Sequence, residues 1–420
     1  MKQQKKIIGI LLFIIIGYLL YGAFSLYGQK VLGYVYPDGS FLFWPANQYM
    51  DFFNVNAMVA EGRPYVDFYS SYPPFILGIA WLFSLMADYK TYTTLELVTM
   101  TEGKISYILF VGIFTLLIGG LLYAFLSKEK ELFPNRFLLI LTIPVLIFTA
   151  PYIFMLDRGN YLLIAIVCYL AFAYFYEKNE TLAAIFLGLA TAIKIYPIFL
   201  FLIYFVEKKW KNMGIATLSA GISSLIPFLL FKGGIWQNIV EFGYALLYFG
   251  KGYETEVPNV YFGVGLTSLL RFPFMIWNNL TIPDWFPVMP VYLVLGSALA
   301  LWSLYHLWYE QVLWKKMLVL TALMVFLSPN AYMYNLTFLL PAIVMFILAS
   351  KSENRWTDWI YLQFLGFLMI PKAYYYILSE HSIGIQVALD GMLLLGLILF
   401  YNIFDNSTRE KRTKKKKENH

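Results

Sequence analysis

Long apolar runs recur from one end of this chain to the other, and many approach the roughly 20 residues that an α-helix needs to cross a bilayer. The first extends from Ile7 to about Tyr27, and the others fall near 105–126, 137–155, 160–176, 181–206, 213–231, 288–308, 317–327, 335–349, 357–378 and 383–404. Only helices and closed barrels satisfy the backbone within lipid. The runs therefore predict an all-α polytopic membrane protein, a bundle of about 10 to 12 transmembrane helices.

The charge pattern supports this class and argues against a nucleic-acid partner. Only 13% of the residues are charged, against about 25% in an ordinary soluble domain. Most of the net charge of +6 comes from the tail 407–420, which holds seven basic and two acidic residues. A basic cluster after a final helix is typical of the anionic cytoplasmic face of a membrane. We expect one membrane unit over residues 1–406 and a cytoplasmic tail over 407–420.

The two ends of the chain are expected on the same side of the membrane. The first apolar run follows several lysines, is longer than a secretory signal core and lacks a small-residue cleavage site. It predicts an uncleaved first helix with its lysines in the cytoplasm. Cys168 is the only cysteine and the three histidines are scattered, so the sequence predicts no disulfide, no metal centre and no bound cofactor.

Basic segments between the apolar runs indicate the topology. If all of them are cytoplasmic, the non-spanning regions 28–104 and 232–287 lie outside the cell membrane. That assignment requires the run Pro74–Ala87 to lie along the membrane as a juxtamembrane helix. It also requires 181–206 to begin and end inside, interrupted at Lys194-Ile-Tyr-Pro197. In a rival topology both elements cross once and Asp157 lies inside; the number of crossings leaves both open.

Several ionisable residues at membrane boundaries are candidates for chemistry. Asp51 begins a polar, aromatic segment after the first helix and suits a general base. Asp157, Arg158 and Asn160 lie together between two apolar runs, and an arginine fork binds phosphate well. Lys194 interrupts an apolar run, where an ionisable group is a functional hypothesis by default. Lys372 is a similar, weaker case. The alternative for each is a local cap, a salt bridge or a solvated charge.

Three stretches in order resemble the GT-C superfamily of polyprenyl-phosphate-sugar-dependent glycosyltransferases, and most closely family 87, a group that includes mannosyltransferases. They read "MDFFNVNAMVAEGRPYVDFYSSYPPF", "DRGNYLLIAIVCYLAF" and "LAAIFLGLATAIKIYPIFLFLIYFVEKKWK". Weaker similarities lie in "NVYFGVGLTSLLRF" and "FLSPNAYMYNLTFLLPAI". The resemblance covers about residues 45–350. Two departures are clear: the family often has His where this chain has Tyr334, and commonly Gln where it has Arg158.

The resemblance implies an enzyme with an extracytoplasmic active site and a first outer loop that contains juxtamembrane helices. It implies an inverting transfer of a hexose, of which mannose is one candidate, from a polyprenyl-phosphate sugar to a glycan or glycolipid acceptor of the cell envelope. Asp51 would be the general base. Arg158, Lys194, Asp157, Asn160, Tyr196, Lys372 and Tyr334 are the candidate substrate-binding residues, and no metal is assigned.

Two other functions fit the same sequence. A polysaccharide polymerase or ligase also works on lipid-linked glycans outside the membrane, but takes a lipid diphosphate. A transporter or flippase of lipid-linked sugars would explain the interrupted helix, since broken helices near the midplane are common in transporters. The large outer region and the absence of a visible inverted repeat in the sequence favour the enzyme.

Overall fold

The computed structural model describes residues 3–27, 30, 49–130, 133, 135–253, 263–277, 287–349, 355–372 and 385–405. Over these residues the chain is almost entirely helical. Its only β-type pairing there is an isolated bridge between Gly263 and Tyr332. The predicted all-α class is therefore confirmed. The tail 407–420 and the whole of the segments 254–262 and 278–286 lie outside the described residues.

The described part of the chain contains the following α-helices. In chain order they are α1 Gln3–Tyr27, α2 Met50–Ala60, α3 Pro74–Ser84, α4 Thr94–Thr99, α5 Thr101–Leu126, α6 Arg136–Ile147, α7 Ala150–Arg158, α8 Leu162–Phe175, α9 Glu180–Ile193, α10 Phe201–Val206, α11 Trp210–Leu225, α12 Gly234–Tyr253, α13 Leu266–Trp277, α14 Val288–Tyr309, α15 Leu313–Phe326, α16 Leu339–Leu348, α17 Arg355–Met369 and α18 Ile385–Phe400. Three 3-10 helices, Tyr196–Leu200, Ile226–Leu229 and Met333–Phe338, interrupt or precede them.

Four helices in the described part of the chain are long and apolar enough to cross a membrane by themselves. They contain the spans Lys5–Ala23, Thr101–Leu126, Trp210–Leu229 and Val288–Tyr309. The bent pair of α6 and α7 would make a fifth. Other apolar helices have 10 to 17 residues. A multi-pass membrane protein is therefore supported, while the larger number of crossings predicted from the apolar runs stays a prediction.

Two predicted local features are confirmed. The short run after the double proline forms the 11-residue helix α3, with proline at its first position, where a missing N–H costs nothing. The run 181–206 is broken at Lys194, which has an extended backbone and ends α9. Pro197 then begins a 3-10 helix. The orientation of both elements relative to the membrane stays a prediction.

Two features of the fold differ from the sequence interpretation. The apolar run 137–155 is not one helix, because α6 and α7 meet at an angle of 62°. Pro151 lies in the first turn of α7, and Phe148 leaves the helical conformation before it. The region 232–287, predicted as an outer loop, is also more regular than a loop, since α12 and α13 occupy much of it.

Helix α8 is central to the part of the molecule that carries the site. Its residues are buried on nearly every side, as expected for a helix that is apolar all round. It packs against α5 and α9, and its N-terminal end receives the turn from α7. A rigid helix thus fixes the position of Arg158 and Asn160, which come immediately before it.

Candidate functional site

The site begins where the N-terminal end of α2 meets the C-terminal end of α7. Tyr49 has a positive φ of 60°, and its N–H donates to the Asp157 carbonyl at 2.7 Å. Gly159 ends α7 with a φ of 66°. A Cβ on Gly159 would lie 2.9 Å from Phe52 Cβ and 3.0 Å from the Tyr49 carbonyl. Glycine is therefore required here both by backbone conformation and by the close approach of the two helices.

This approach brings Asp51 against two of the predicted residues. Arg158 Nη2 donates to Asp51 Oδ1 at 3.1 Å, and Asn160 Nδ2 donates to Asp51 Oδ2 at 2.8 Å. Asp51 lies in the first turn of α2 and Arg158 in the last turn of α7, so each charge is favoured by the dipole of its own helix. The side chains of Arg158 and Asp51 are 27% and 18% exposed. The pair is thus ordered but still accessible.

Asn160 fixes the direction of the Asp51 carboxylate. Its Oδ1 accepts from the Leu162 N–H at 2.9 Å, which satisfies a free donor at the beginning of α8. Because the oxygen is committed to that N–H, the amide group must present its NH₂ to Asp51. Each Asp51 oxygen accepts one hydrogen bond from the protein and keeps further lone-pair capacity for a substrate.

Lys194 brings a second cation to the same region. It lies within electrostatic range of Asp51, and its Nζ is 4.9 Å from the centroid of the Tyr72 ring. The side chain is half-buried. Among the residues that the structure describes, Lys194 makes no ion pair. A partly desolvated ammonium held over an aromatic face is suited to an anionic ligand.

Tyrosines surround this group of charges. Tyr334 is buried, interacts electrostatically with Asp51, and stacks on Phe154 with ring centroids 5.8 Å apart. The ring centroids of Tyr332 and Tyr334 are 5.6 Å apart. Tyr196 is half-buried near the same ring. Aromatic faces with hydroxyl groups can both stack on a sugar ring and bond its hydroxyls.

The loop that precedes Tyr334 is held by the chain at the beginning of α13. The Val264 N–H donates to the Ala331 carbonyl at 2.7 Å, and Thr267 Oγ1 donates to the Pro329 carbonyl at 2.8 Å. A Cβ on Gly265 would lie 2.8 Å from the Ser328 carbonyl. The segments "NVYFGVGL" and "SPNAYMY", far apart in sequence, are therefore neighbours in the fold where both are described.

Two predicted site residues make other contacts in the structure, and their roles stay predictions. Lys372 Nζ forms an ion pair with the fully buried Asp390 at 2.7 Å, and no contact in the described residues links it to Asp51. The Asp157 side chain is buried, and its carbonyl accepts from Tyr49. Asp157 lies within electrostatic range of Arg158. It is placed to stabilise the turn and the guanidinium.

The sequence profile of glycosyltransferase family 87 matches residues 69–329, more than half of the 420-residue chain. The chain belongs to glycosyltransferase family 87. The expected family is thus confirmed, and with it glycosyltransferase activity in general terms. A search of curated proteins finds no match to the chain. Asp51 lies before the matched segment, whereas Tyr72, Arg158, Asn160 and Lys194 lie within it.

Sequence reasoning missed three contributors to the site of this family 87 glycosyltransferase. Tyr72 supplies the ring beneath Lys194; its position before Pro73 signalled only a turn. Tyr107 of α5 donates to the Leu156 carbonyl and stacks on Tyr49 with centroids 4.2 Å apart. Gly159 allows the helices to meet, and its place between two apolar runs was a usable signal for a helix end.

The described residues offer little support for a protein-held metal. No group of three or more His, Cys, Asp or Glu side chains in those ranges lies close enough together to hold an ion. The Asp51 carboxylate is instead held by Arg158 and Asn160. The assignment of no metal stays a prediction.

Proposed function

We propose that this glycosyltransferase moves a hexose from a polyprenyl-phosphate sugar to a glycan or glycolipid acceptor of the cell envelope, at the extracytoplasmic face. The observation that carries the proposal is that an oriented carboxylate and a cation lie in the same region. Asp51 is the carboxylate, and Lys194 is the cation, which has no ion-pair partner among the described residues. A transfer from a lipid phosphate needs a base for the acceptor and a cation for the leaving group.

Asp51 acts as the general base in a single displacement. The acceptor hydroxyl attacks the anomeric carbon while an Asp51 oxygen takes its proton, and the bond from that carbon to the phosphate oxygen breaks. The lipid phosphate leaves with one additional negative charge. Attack opposite to the leaving group inverts the anomeric centre. A positioned base contributes about 10²- to 10⁴-fold.

Arg158 interacts with both the general base and the leaving phosphate in this proposal. A guanidinium has five donors, so Arg158 can keep one bond to Asp51 and offer others to the phosphate. As Asp51 accepts the proton its charge disappears, while the charge on the phosphate grows. The attraction of Arg158 therefore shifts from the carboxylate to the leaving group, and Lys194 adds a second positive charge there.

The tyrosines supply sugar contacts in this proposal. Tyr334 and Tyr196 lie beside the charged group and would pack on the hexose or its acceptor. Tyr334 stands where the family often has His, so we expect it to affect which substrate is used more than the proton transfer itself. Membrane lipids and the two glycan substrates are the partners; both termini are cytoplasmic in this topology.

The test compares two aspartates of the same outer segment. Asp51→Asn and Asp67→Asn, the latter at an exposed carboxylate, are purified in lipid nanodiscs and supplied with polyprenyl-phosphate mannose, polyprenyl-phosphate glucose or a polyprenyl-diphosphate oligosaccharide. Membranes of a deletion strain provide the acceptor. We expect Asp51→Asn to lose at least about 100-fold in turnover and Asp67→Asn to stay close to wild type. Wild-type turnover by Asp51→Asn would show that Asp51 is not the base.

The donor series separates the enzyme class from its rivals. Transfer from a monophosphate donor supports the proposal, whereas exclusive use of the diphosphate donor indicates a polymerase or ligase. Movement of labelled lipid across vesicles with no glycosyl product would indicate a transporter. Envelope glycans of the deletion strain, compared with those of its parent, identify the sugar that is missing.

A further inference from the structure

A second polar contact joins α2 to Tyr161, the residue just before α8, and lies close to the Asp51 group, by which we mean Asp51, Arg158 and Asn160. The Tyr161 hydroxyl donates to Asn56 Oδ1 at 2.6 Å, and Asn56 Nδ2 donates to the Tyr89 hydroxyl at 3.0 Å. Asn56 and Tyr161 are fully buried and Tyr89 is nearly so. Asn56 lies on the same helix as Asp51, and Tyr161 directly follows Asn160. Two side-chain links, Asp51 to Asn160 and Asn56 to Tyr161, therefore run between the same two elements.

The chemistry of this contact is unusual for its surroundings. The Tyr161 ring packs on Phe52 with centroids 5.9 Å apart and on Phe110 at 4.8 Å, so apolar groups already fill the interface. An apolar residue in place of Asn56 would avoid the cost of burying an amide. A buried hydrogen-bonded link adds what apolar packing lacks, namely a fixed register, because such bonds tolerate only a few tenths of an ångström.

The hydrogen bond between Asn56 and Tyr161 is placed so that it fixes the position of α2 relative to α8. Asn56 is five residues after Asp51, about 7.5 Å along the helix axis, and its bond to Tyr161 resists sliding or rotation of α2 against α8. Tyr89 holds the other side of the amide, so Asn56 cannot turn away. Any shift of α2 would move the Asp51 carboxylate relative to Arg158 and Asn160.

We propose that Asn56, Tyr161 and Tyr89 form a positioning clamp that sets the location of the Asp51 carboxylate for proton transfer. The clamp makes no contact with substrate, and its role rests on the proposed function of Asp51 as the base. Catalysis is sensitive to such placement: a displacement of about 1 Å can lower a rate by about 10²-fold. Loss of the clamp therefore reduces kcat and leaves donor binding, which Lys194 and Arg158 provide, nearly unchanged.

Helix α8 offers a matched control. Tyr169 is also fully buried, and its hydroxyl forms a 2.6 Å hydrogen bond with Thr321 Oγ1, but it lies about 12 Å farther along the helix than Tyr161. Tyr161→Phe and Tyr169→Phe each remove one buried hydroxyl bond and keep the ring. Both are measured in nanodiscs for thermal stability and for transfer from the polyprenyl-phosphate hexose that the wild type uses.

We expect both variants to fold, with similar decreases in thermal stability. Tyr161→Phe should lose about 10- to 100-fold in kcat, with a donor KM within about twofold of wild type, whereas Tyr169→Phe should keep the wild-type kcat. Equal kcat values for the two variants would overturn the proposal. A rise in donor KM with unchanged kcat would overturn it as well, since that indicates a binding role.

A double variant tests whether the clamp acts through Asp51. Adding Tyr161→Phe to Asp51→Asn should cause no further loss of residual turnover, because there is no base left to position. Multiplicative losses would show that Tyr161 acts elsewhere and would overturn the proposal. The outcomes also separate the two proposals: a fully active Asp51→Asn removes the proposed base, whereas an inactive Asp51→Asn with a fully active Tyr161→Phe removes only the clamp.

Discussion

The two ends of α9 both carry charged groups, but the groups differ in how completely their charges are paired. At the N-terminal end, Glu180 belongs to a cluster that we call the Glu207 cluster, formed by Glu180, Glu207, Lys209 and Lys316 with the polar residues Tyr176 and Asn212. At the C-terminal end, about 20 Å away along the helix, Lys194 faces the Asp51 group. Helix α9 thus connects a network in which every charge is paired, which we call closed, with a group in which Lys194 has no acid partner among the described residues.

In the Glu207 cluster every charge has a partner. Glu207 accepts from Lys316 at 2.6 Å and from Tyr176 at 2.8 Å, and pairs with Lys209 at 3.0 Å. Lys209 also pairs with Glu180 at 2.9 Å. Burial alone would raise the pKa of Glu207, but the bonds from Lys316, Lys209 and Tyr176 outweigh it and lower the pKa of this carboxyl.

The Asp51 group is arranged differently. Arg158 and Asn160 pair with the carboxylate, while Lys194 contacts an aromatic ring and, among the described residues, no acid. A closed ionic network gains nothing from an added anion, and removal of one member is destabilising. A cation without an acid partner can gain a ligand. The comparison therefore assigns stability to the Glu207 cluster and binding to Lys194.

Of the substitutions that distinguish the two regions, we expect the largest effect, a loss of turnover, at Lys194. Lys194→Met removes the proposed positive charge from the leaving phosphate, so we expect a loss of about 10²- to 10³-fold in turnover, with thermal stability unchanged because no ion pair is broken. The measurement is transfer from a polyprenyl-phosphate hexose together with a melting curve. Lys90→Met, at an exposed lysine between α3 and α4, is the control. A strong decrease in stability with normal turnover would reverse the assignment.

A smaller effect, on stability instead of turnover, is expected at Lys316. Lys316→Met leaves Glu207 with Lys209 and Tyr176 only, and we expect a destabilisation of about 2 kcal/mol. Turnover per folded molecule should not change. Lys211→Met, at an exposed neighbour outside the cluster, should differ from wild type by less than about 0.5 kcal/mol. Denaturation in detergent measures the first effect and the transfer assay the second; a catalytic loss would contradict the comparison.

Local chemistry explains which features of this fold can be predicted from sequence. The break at Lys194 is predictable because Pro197 lacks an N–H and its ring would clash with the carbonyl of Ile193, four residues earlier, if the helix continued. Helix α3 follows from its length and the preceding prolines. The 62° bend between α6 and α7 is not predictable because Pro151 lies within an uninterrupted apolar run of the sequence. Prolines are tolerated in membrane helices, so their presence alone does not locate a bend.

The site is only partly predictable for a different reason. Asp51, Arg158, Asn160 and Lys194 can be selected as unusual residues at membrane boundaries. Their contact cannot, since Asp51 and Arg158 are 107 residues apart and meet only because Gly159 permits close packing. For the same reason, the sequence does not show that Lys194 and Lys372 have different surroundings. Both are lysines near prolines, but only the folded structure shows that Lys372 forms an ion pair with Asp390.

The smallest of the three effects is the pH dependence of the Glu207 cluster. Because the folded-state pKa of Glu207 lies below its ordinary value, the ionised carboxyl stabilises the fold at pH values above the unfolded-state pKa of about 4.3. That stabilisation is lost as the pH falls through the folded-state pKa. Glu207→Gln cannot titrate, so the difference in melting temperature between wild type and this variant should be constant near neutral pH and decrease in acid.

Melting curves from about pH 7 to about pH 3 measure this difference, because the loss is expected below the unfolded-state pKa of about 4.3. The difference between wild type and Lys211→Met should not vary over the same range, because neither lysine nor methionine titrates there. If the gap between wild type and Glu207→Gln widens in acid, the carboxyl is more stable in its protonated form and the closed network is not what holds it. If the gap narrows, ionised Glu207 stabilises the N-terminal end of α9, as the closed network of the Glu207 cluster predicts.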